Sequence, residues 1–170
     1  MRLILLRHGP AGRRDAERWP DDALRPLTSH GIKRSRDAAR GLARVEPGIS
    51  LIASSSLGRA LQTARVFARA LDVDAVEELD ALRPGGSRDR LLEFLAAHGR
   101  DRSIMLVGHE PDLGELAGAL LFDSPSALPM KKAGACAIAF DTEPRVGGGA
   151  LHWFLPAKML ARLATKTVRA

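Results

Sequence analysis

The chain has 170 residues, 45% of them hydrophobic, which is the usual size and composition of one globular domain. No apolar stretch is long enough to span a membrane, and the single cysteine, Cys136, excludes a disulfide framework. We therefore expect one domain, residues 1–170, in a reducing cytoplasm. The formal charge of +6 comes mainly from arginine; it either attracts phosphorylated or polyanionic partners or reflects a general preference for this residue.

Short apolar segments predict β-strands, which in chain order are residues 3–6, 49–53, 104–107, 135–140 and 151–154. The first and third are continuously apolar, which is typical of central strands buried on both faces. Periodic apolar patterns predict helices between these strands. Thr28 is expected to cap the first helix, and Pro111 and Asp112 are expected to open the fourth. The predicted helices cover residues 29–43, 57–71, 91–95, 113–121 and 156–164.

This alternation of strands and helices predicts an α/β fold. We expect a three-layer α/β/α sandwich, with a mostly parallel central sheet and helices on both faces. The longest irregular segment, residues 9–26, is rich in charge and proline and directly follows the first strand. A long loop at the end of a strand often carries function. Its arginines, Arg13, Arg14 and Arg18, either form a rim that faces the substrate or are an ordinary run of solvated charges, and we favour the second interpretation.

Polar clusters follow three of the predicted strands. They contain Arg7, His8 and Gly9 after the first strand, Arg59 with a run of serines after the second, and His109 after the third. Ligand sites of open α/β sheets lie outside the carboxyl ends of the strands, so these clusters are expected to converge on one crevice. Two guanidiniums can bind a phosphoryl group, and two imidazoles can supply a nucleophile and a further donor. The sequence therefore predicts a phosphate site.

The same residues resemble a known family. LLRHG at residues 5–9, SSSLGRALQTA at 54–64 and VGHEPDL at 107–113 are similar, in this order, to the three signature blocks of the histidine phosphatase (phosphoglycerate-mutase-like) superfamily. RPLTSHG at residues 25–31 and LHWFLPAKM at 151–159 are most similar to the SixA-type phosphohistidine phosphatases. The resemblance covers nearly the whole chain, and it implies the phosphoglycerate-mutase-like sandwich.

The resemblance also implies residue roles. His8 would be the nucleophile, Arg7 and Arg59 would bind the phosphoryl group with Gly9, and His109 would stabilise it during transfer. Larger family members use a carboxylate after the second block as general acid, and the candidates here are Glu77, Glu78 and Asp80. We favour Glu78, although the family's usual glutamate motif is not evident there. A phosphohistidine substrate needs less help, because its imidazole leaving group can be protonated before it departs.

Three functions remain open at this point. The favoured one is hydrolysis of phosphohistidine in a protein, through a covalent phosphohistidine on His8, with no cofactor and no metal. The alternatives are a phosphatase of a small phosphorylated metabolite and a module that only binds phosphoprotein or polyphosphate. A nucleic-acid partner is not expected, because aromatic residues make up only 4% of the chain and tyrosine is absent. No membrane partner is expected, and the oligomeric state is open.

Overall fold

The computed structural model describes residues 1–98, 102–123 and 127–165, and within these ranges one six-stranded sheet forms the centre. The strands are β1 (Arg2–Arg7), β2 (Ile49–Ser54), β3 (Val76–Glu78), β4 (Ser103–Gly108), β5 (Ala135–Ala139) and β6 (Ala150–Leu155). They lie side by side in the order β3-β2-β4-β1-β5-β6. The first four pair in parallel, whereas β5 is antiparallel to both β1 and β6. The prediction of a mostly parallel sheet is confirmed.

Helices cover both faces of this sheet. In the described ranges they are α1 (Ser29–Val45), α2 (Gly58–Leu71), α3 (Arg88–Ala97), α4 (Asp112–Phe122) and α5 (Ala157–Thr165). Side chains of a strand alternate between its two faces, so the apolar run of β1 supplies both cores. Ile4 and Leu6 pack in the core beneath α1, α2 and α5, and Leu3 and Leu5 pack in the core beneath α3 and α4. The three-layer sandwich predicted from the sequence is therefore confirmed.

The central strands are the two that are apolar throughout. Strands β1 and β4 lie next to each other inside the sheet, and Ile4 and Met105 pair in register and are fully buried. The edge strand β3 was missed by the sequence analysis, because it is only three residues long and Glu77 and Glu78 are two of them. Such a short, charged segment carries too little apolar pattern to predict a strand.

The first helix begins where the sequence predicts. Thr28 is extended, and its Oγ1 accepts a hydrogen bond of 2.9 Å from the backbone N–H of Gly31. This bond satisfies one of the donors that the first turn leaves free. The helix then passes back across the sheet, and its start lies beside the loop that follows β1. None of the helices in the described ranges has the length and apolar character required to cross a membrane.

Candidate active site

Three neighbouring strands bring the polar clusters together. In β1 and β4, Arg7 is paired with Gly108, and in β4 and β2, Val107 is paired with Ser54. The backbone continues this pairing beyond the strands, because the N–H of His8 donates to the carbonyl oxygen of Gly108 at 3.0 Å. The predicted convergence on the carboxyl edge of the sheet is thus what the fold produces, at the place where α/β proteins bind ligands.

The His8 ring is buried and held in one orientation. Its side chain is only 7% exposed, and its Nδ1 lies 2.7 Å from the carbonyl oxygen of Gly9. A carbonyl only accepts hydrogen bonds, so Nδ1 carries the proton and the lone pair of the neutral ring is on Nε2. A β-carbon on Gly9 would collide with Oγ of Ser35 and lie close to the carbonyl oxygen of Gly31, so a larger residue here would force the buried Ser35 side chain to move.

The second imidazole, His109, faces the first. The two ring centroids are 5.1 Å apart, and the ring planes are inclined at 55°. His109 is 4% exposed, and its Nε2 lies 2.9 Å from Oγ of Ser55, the first residue after β2. Ser55 in turn accepts a hydrogen bond from the backbone N–H of Leu57 at 3.3 Å. The turn that leads into α2 therefore orients the ring of His109.

Burial keeps both imidazoles neutral near pH 7. It lowers the pKa of His8 to about 3, with further lowering by His109, Arg59 and Arg7 that the hydrogen bond to Gly9 only partly offsets. Burial likewise lowers the pKa of His109 to about 4, and the nearby guanidiniums contribute to this shift. A neutral His8 has the lone pair that a nucleophile requires.

The Arg7 guanidinium has a donor available for a ligand. Its Nη1 donates to the carbonyl oxygen of Met130 at 2.8 Å, while its Nε is buried and has no hydrogen-bond partner among the described residues. Glu110 fixes the segment that carries Met130, because its Oε1 accepts a hydrogen bond of 2.8 Å from the Met130 N–H. A buried donor without a partner is costly, and an anion placed beside it would satisfy it.

Arg59 approaches the site from the first turn of α2. Its side chain is 7% exposed, and its Nη1 donates to the carbonyl oxygen of Asp22 at 3.0 Å and lies 3.2 Å from Oδ2 of the same residue. Asp22 begins a short 3-10 turn, Asp22–Leu24, inside the long loop after β1. Hydrogen bonding and charge from Arg25 hold the pKa of Asp22 below its usual value, so this carboxylate is ionised. The loop thereby anchors one of the two guanidiniums.

The structure does not bring Glu78 to these residues. It is exposed at the end of the edge strand β3 and is paired in register with Ser54 of β2. Two strands, β2 and β4, separate β3 from β1, which corresponds to about 14 Å at the usual spacing of 4.8 Å. No described contact links Glu78 to either imidazole. The sequence argument placed this residue at the correct edge of the sheet but could not give its distance from His8.

Sequence reasoning missed several supporting residues. Thr63 accepts a hydrogen bond of 2.9 Å from the Gly9 N–H and donates one of 2.7 Å to the carbonyl oxygen of Arg59. Ser55 and Thr63 lie in the second signature block, so their presence there was a signal. Asp22 and Met130 lie in irregular segments with no comparable signal. Among the described residues, no group of three or more histidine, cysteine or acidic side chains could hold a metal ion.

Two buried histidines, the buried Arg59 and the half-buried Arg7, at the carboxyl edge of an α/β sandwich, form the kind of site that transfers phosphoryl groups. The model of the histidine phosphatase superfamily (branch 1) matches residues 3–85. An uncharacterized protein of Picosynechococcus is 36% identical over 137 residues, 79% of this chain and 82% of that protein. The chain belongs to the histidine phosphatase superfamily, and it is a phosphatase.

Within the superfamily the similarity is to SixA. The phosphohistidine phosphatase SixA of Escherichia coli is 29% identical over 156 residues, which cover 90% of this chain and 92% of that protein. The structure of the protein histidine phosphatase SixA complexed with tungstate has a TM-score of 0.81 and 25% identity, and the match covers 93% of this chain and 98% of that one. The chain is thus a SixA-like member of its superfamily.

Proposed function

We propose that this phosphatase hydrolyses phosphohistidine in a protein substrate and that His8 carries the phosphoryl group between the two steps. The observation that carries the proposal is the state of the His8 ring. Its Nδ1 is bonded to the Gly9 carbonyl, and its neutral Nε2 is left as the nucleophilic atom. A binding module would have no need of such a nitrogen.

In the first step, Nε2 of His8 attacks phosphorus. A nitrogen–phosphorus bond forms, and the bond from phosphorus to the leaving nitrogen breaks, with its electron pair going to the leaving imidazole. Arg7, Arg59 and His109 bind the oxygens of the transferring group and stabilise the charge there. The Nε of Arg7 supports this role, because it is a buried donor that has no hydrogen-bond partner among the described residues.

In the second step, water attacks the phosphorus of phosphohistidine 8 and releases inorganic phosphate and the free His8 ring. The position of Glu78 matters for the first step rather than for this one. Glu78, the carboxylate favoured for protonating an alkyl leaving group, lies on the edge strand β3 and makes no described contact with His8 or His109. We therefore propose that the leaving group arrives with its own proton, as the imidazole of phosphohistidine can.

The similarity to SixA supports a protein substrate, since the Escherichia coli protein matches over 92% of its length and is described as a phosphohistidine phosphatase, and the tungstate complex is described as that of a protein histidine phosphatase. We propose a reducing cytoplasm as the location of the protein, in keeping with its single, buried thiol, Cys136. The second candidate is a phosphatase of a small anionic metabolite. The cluster of guanidiniums in the cavity beside Arg59 favours it, because such groups bind carboxylates and phosphates.

The test is to trap the intermediate. Brief reaction with radiolabelled phosphohistidine peptide, followed by an alkaline quench, is expected to leave acid-labile label on His8 of the wild type and none on the His8→Asn variant. The matched control is His152→Asn, which removes an exposed histidine of β6. Label on a serine, or equal labelling of His8→Asn and wild type, would overturn the proposal. A panel with phosphohistidine peptide, aryl phosphate and phosphoglycerate then decides between the two substrate classes.

A further inference from the structure

A cavity of about 480 Å³ opens directly beside Arg59. Its walls come from the long loop after β1, the start of α2, and the segment that follows the 3-10 turn Asp80–Leu82. The charged side chains that line it are four guanidiniums and two carboxylates: Arg14, Arg25, Arg59, Arg83, Asp21 and Asp22. Positive charge is therefore in excess in a cavity that shares a wall with the phosphoryl site.

Two of these guanidiniums are already occupied. Arg25 is 13% exposed; it binds the Asp22 carboxylate at 2.8 Å and the carbonyl oxygen of Gly12 at 2.7 Å. Arg59 is held by the same carboxylate and by the backbone of Asp22. With both neighbours bound, Asp22 has little capacity left for a third guanidinium.

The other two guanidiniums lack such partners. Arg14 lies 3.8 Å from Asp22, beyond hydrogen-bond distance, and its side chain is 85% exposed. Arg83 lies 3.9 Å from Asp80, and its side chain is 51% exposed. Among the described residues, neither guanidinium donates a hydrogen bond. Both guanidiniums therefore have all their N–H donors free for a ligand in the cavity that Arg59 also lines.

We propose that Arg14 and Arg83 bind a second anionic group of the substrate, a carboxylate or phosphate attached close to the phosphoryl group that is transferred. This inference rests on the proposed phosphatase reaction at His8 and concerns which substrates the same site selects. Because Arg59 lines this cavity, the substrate atoms next to a phosphoryl group bound there can extend into it, and planar guanidiniums recognise carboxylates and phosphates through paired hydrogen bonds. For Arg14 the proposal adopts the substrate-facing alternative that the sequence analysis left open.

The second anion could come from two sources, an acidic side chain beside a phosphorylated residue of a protein or the carboxylate of a small metabolite. Two substrate pairs separate them. The first pair is a phosphohistidine peptide flanked by glutamate and the same peptide flanked by glutamine. The second pair is 3-phosphoglycerate and glycerol 3-phosphate, which differ in a carboxylate. The ratio of kcat/KM within each pair reports recognition of the second anion.

The experiment compares the wild type, the double variant Arg14→Gln/Arg83→Gln, and the control Arg13→Gln/Arg18→Gln. The control removes the same charge, and its residues lie in the same loop as Arg14 but line a different cavity, beside Trp19. We expect the wild type and the control to prefer the acidic member of at least one pair by about tenfold, corresponding to about 1.4 kcal/mol. The Arg14→Gln/Arg83→Gln variant should lose most of this preference, mainly through KM.

The preference for peptide or metabolite identifies the source. Any of three results would overturn the inference: the wild type shows no preference in either pair, the preference survives in Arg14→Gln/Arg83→Gln, or the control loses the preference equally. The third result would indicate general attraction of anions by the basic surface. If the wild type hydrolyses neither pair, the proposed function fails. Calorimetric binding of 3-phosphoglycerate and glycerol 3-phosphate to the same three proteins then tests the second-anion site on its own.

Discussion

Thr63 joins the nucleophile loop to the helix that carries a phosphate-binding arginine, because its Oγ1 lies 2.9 Å from the backbone nitrogen of Gly9. The same hydroxyl donates to the carbonyl oxygen of Arg59 one turn earlier in α2. Gly9 also supplies the carbonyl that fixes the His8 ring. The position of the buried Thr63 hydroxyl therefore affects both His8, the proposed nucleophile, and Arg59, which is proposed to bind the phosphoryl group. Neither Gly9 nor Thr63 needs to contact the substrate for this effect.

The first prediction follows from this link. Thr63→Val keeps the shape of the side chain but leaves the buried Gly9 N–H unpaired, which costs about 1–3 kcal/mol. We expect kcat to fall by about tenfold with KM little changed, since the donors to the substrate remain while the His8 ring loses its fixed orientation. Thr63→Ser retains the hydroxyl and should restore most of kcat. Equal effects of Val and Ser would mean that Thr63 contributes only packing.

The second prediction concerns the two guanidiniums. Arg7→Lys and Arg59→Lys keep the charge but lose the planar fork, and each should cost about 2–4 kcal/mol of transition-state stabilisation, the range for removing one preorganised donor. The measurement is kcat/KM with aryl phosphate and with phosphohistidine peptide. Arg65→Lys is the matched control, because Arg65 is exposed on the same helix α2. Similarly mild effects for all three variants would indicate collective attraction of anions instead.

The third prediction is a loss of stability in mild acid. The folded-state pKa values of His8 and His109, about 3 and about 4, lie below the ordinary value of 6.5. Between pH 7 and pH 5 the unfolded chain takes up protons at these histidines and the folded chain does not, so the free energy of unfolding decreases as pH falls. The expected decrease is about 2 kcal/mol for each histidine.

Urea unfolding at pH 7 and at pH 5 measures this decrease. Each of the variants His8→Asn and His109→Asn removes one of the two buried histidines. Each should reduce the pH dependence of the free energy of unfolding by about half, because it removes one of two similar contributions. His152→Asn, which changes an exposed histidine, should leave the dependence as in the wild type. A pH dependence that is the same in all four proteins would show that other groups cause it.

The fourth prediction is that activity survives exhaustive treatment with chelators. The described residues contain no cluster able to hold a metal ion, and the proposed reaction uses guanidiniums and an imidazole where other phosphatases use metal ions. We expect kcat/KM to be unchanged after dialysis against EDTA and unaffected by added Mg²⁺ or Zn²⁺. A loss of activity that added metal restores would assign the chain a different mechanism.

The sequence predicted the parts of the site that follow apolar strands. Residues 3–6 and 104–107 are apolar throughout, so their burial in the centre of the sheet and the position of His8 and His109 at its edge could be anticipated. The strand β3 could not be predicted from the sequence, because two of its three residues are glutamates and give no apolar pattern. Without that strand, the distance between Glu78 and the site could not be judged from the sequence.

The contacts made by irregular segments could not be predicted from the sequence either. The backbone carbonyl of Met130 accepts a hydrogen bond from Arg7, and that of Asp22 accepts one from Arg59. Asp22 also contacts Arg59 through its carboxylate. Backbone carbonyls are present at every residue, so sequence alone carries no signal of which one accepts such a bond. Arg14 and Arg13 are adjacent and chemically identical, and only the path of the loop directs them to different cavities.

The position of β1 in the sheet also bears on how the enzyme is made. This strand precedes both of its partner strands in the chain: it pairs with β4, where Arg2 is opposite Ser103, and with β5, where Leu6 is opposite Ala135. During translation its apolar side chains and backbone groups therefore stay unpaired until both partner strands have been synthesised. Such late, long-range pairing is slow and exposes nascent chains to aggregation, so newly made enzyme is expected to depend on chaperones more than its small size suggests.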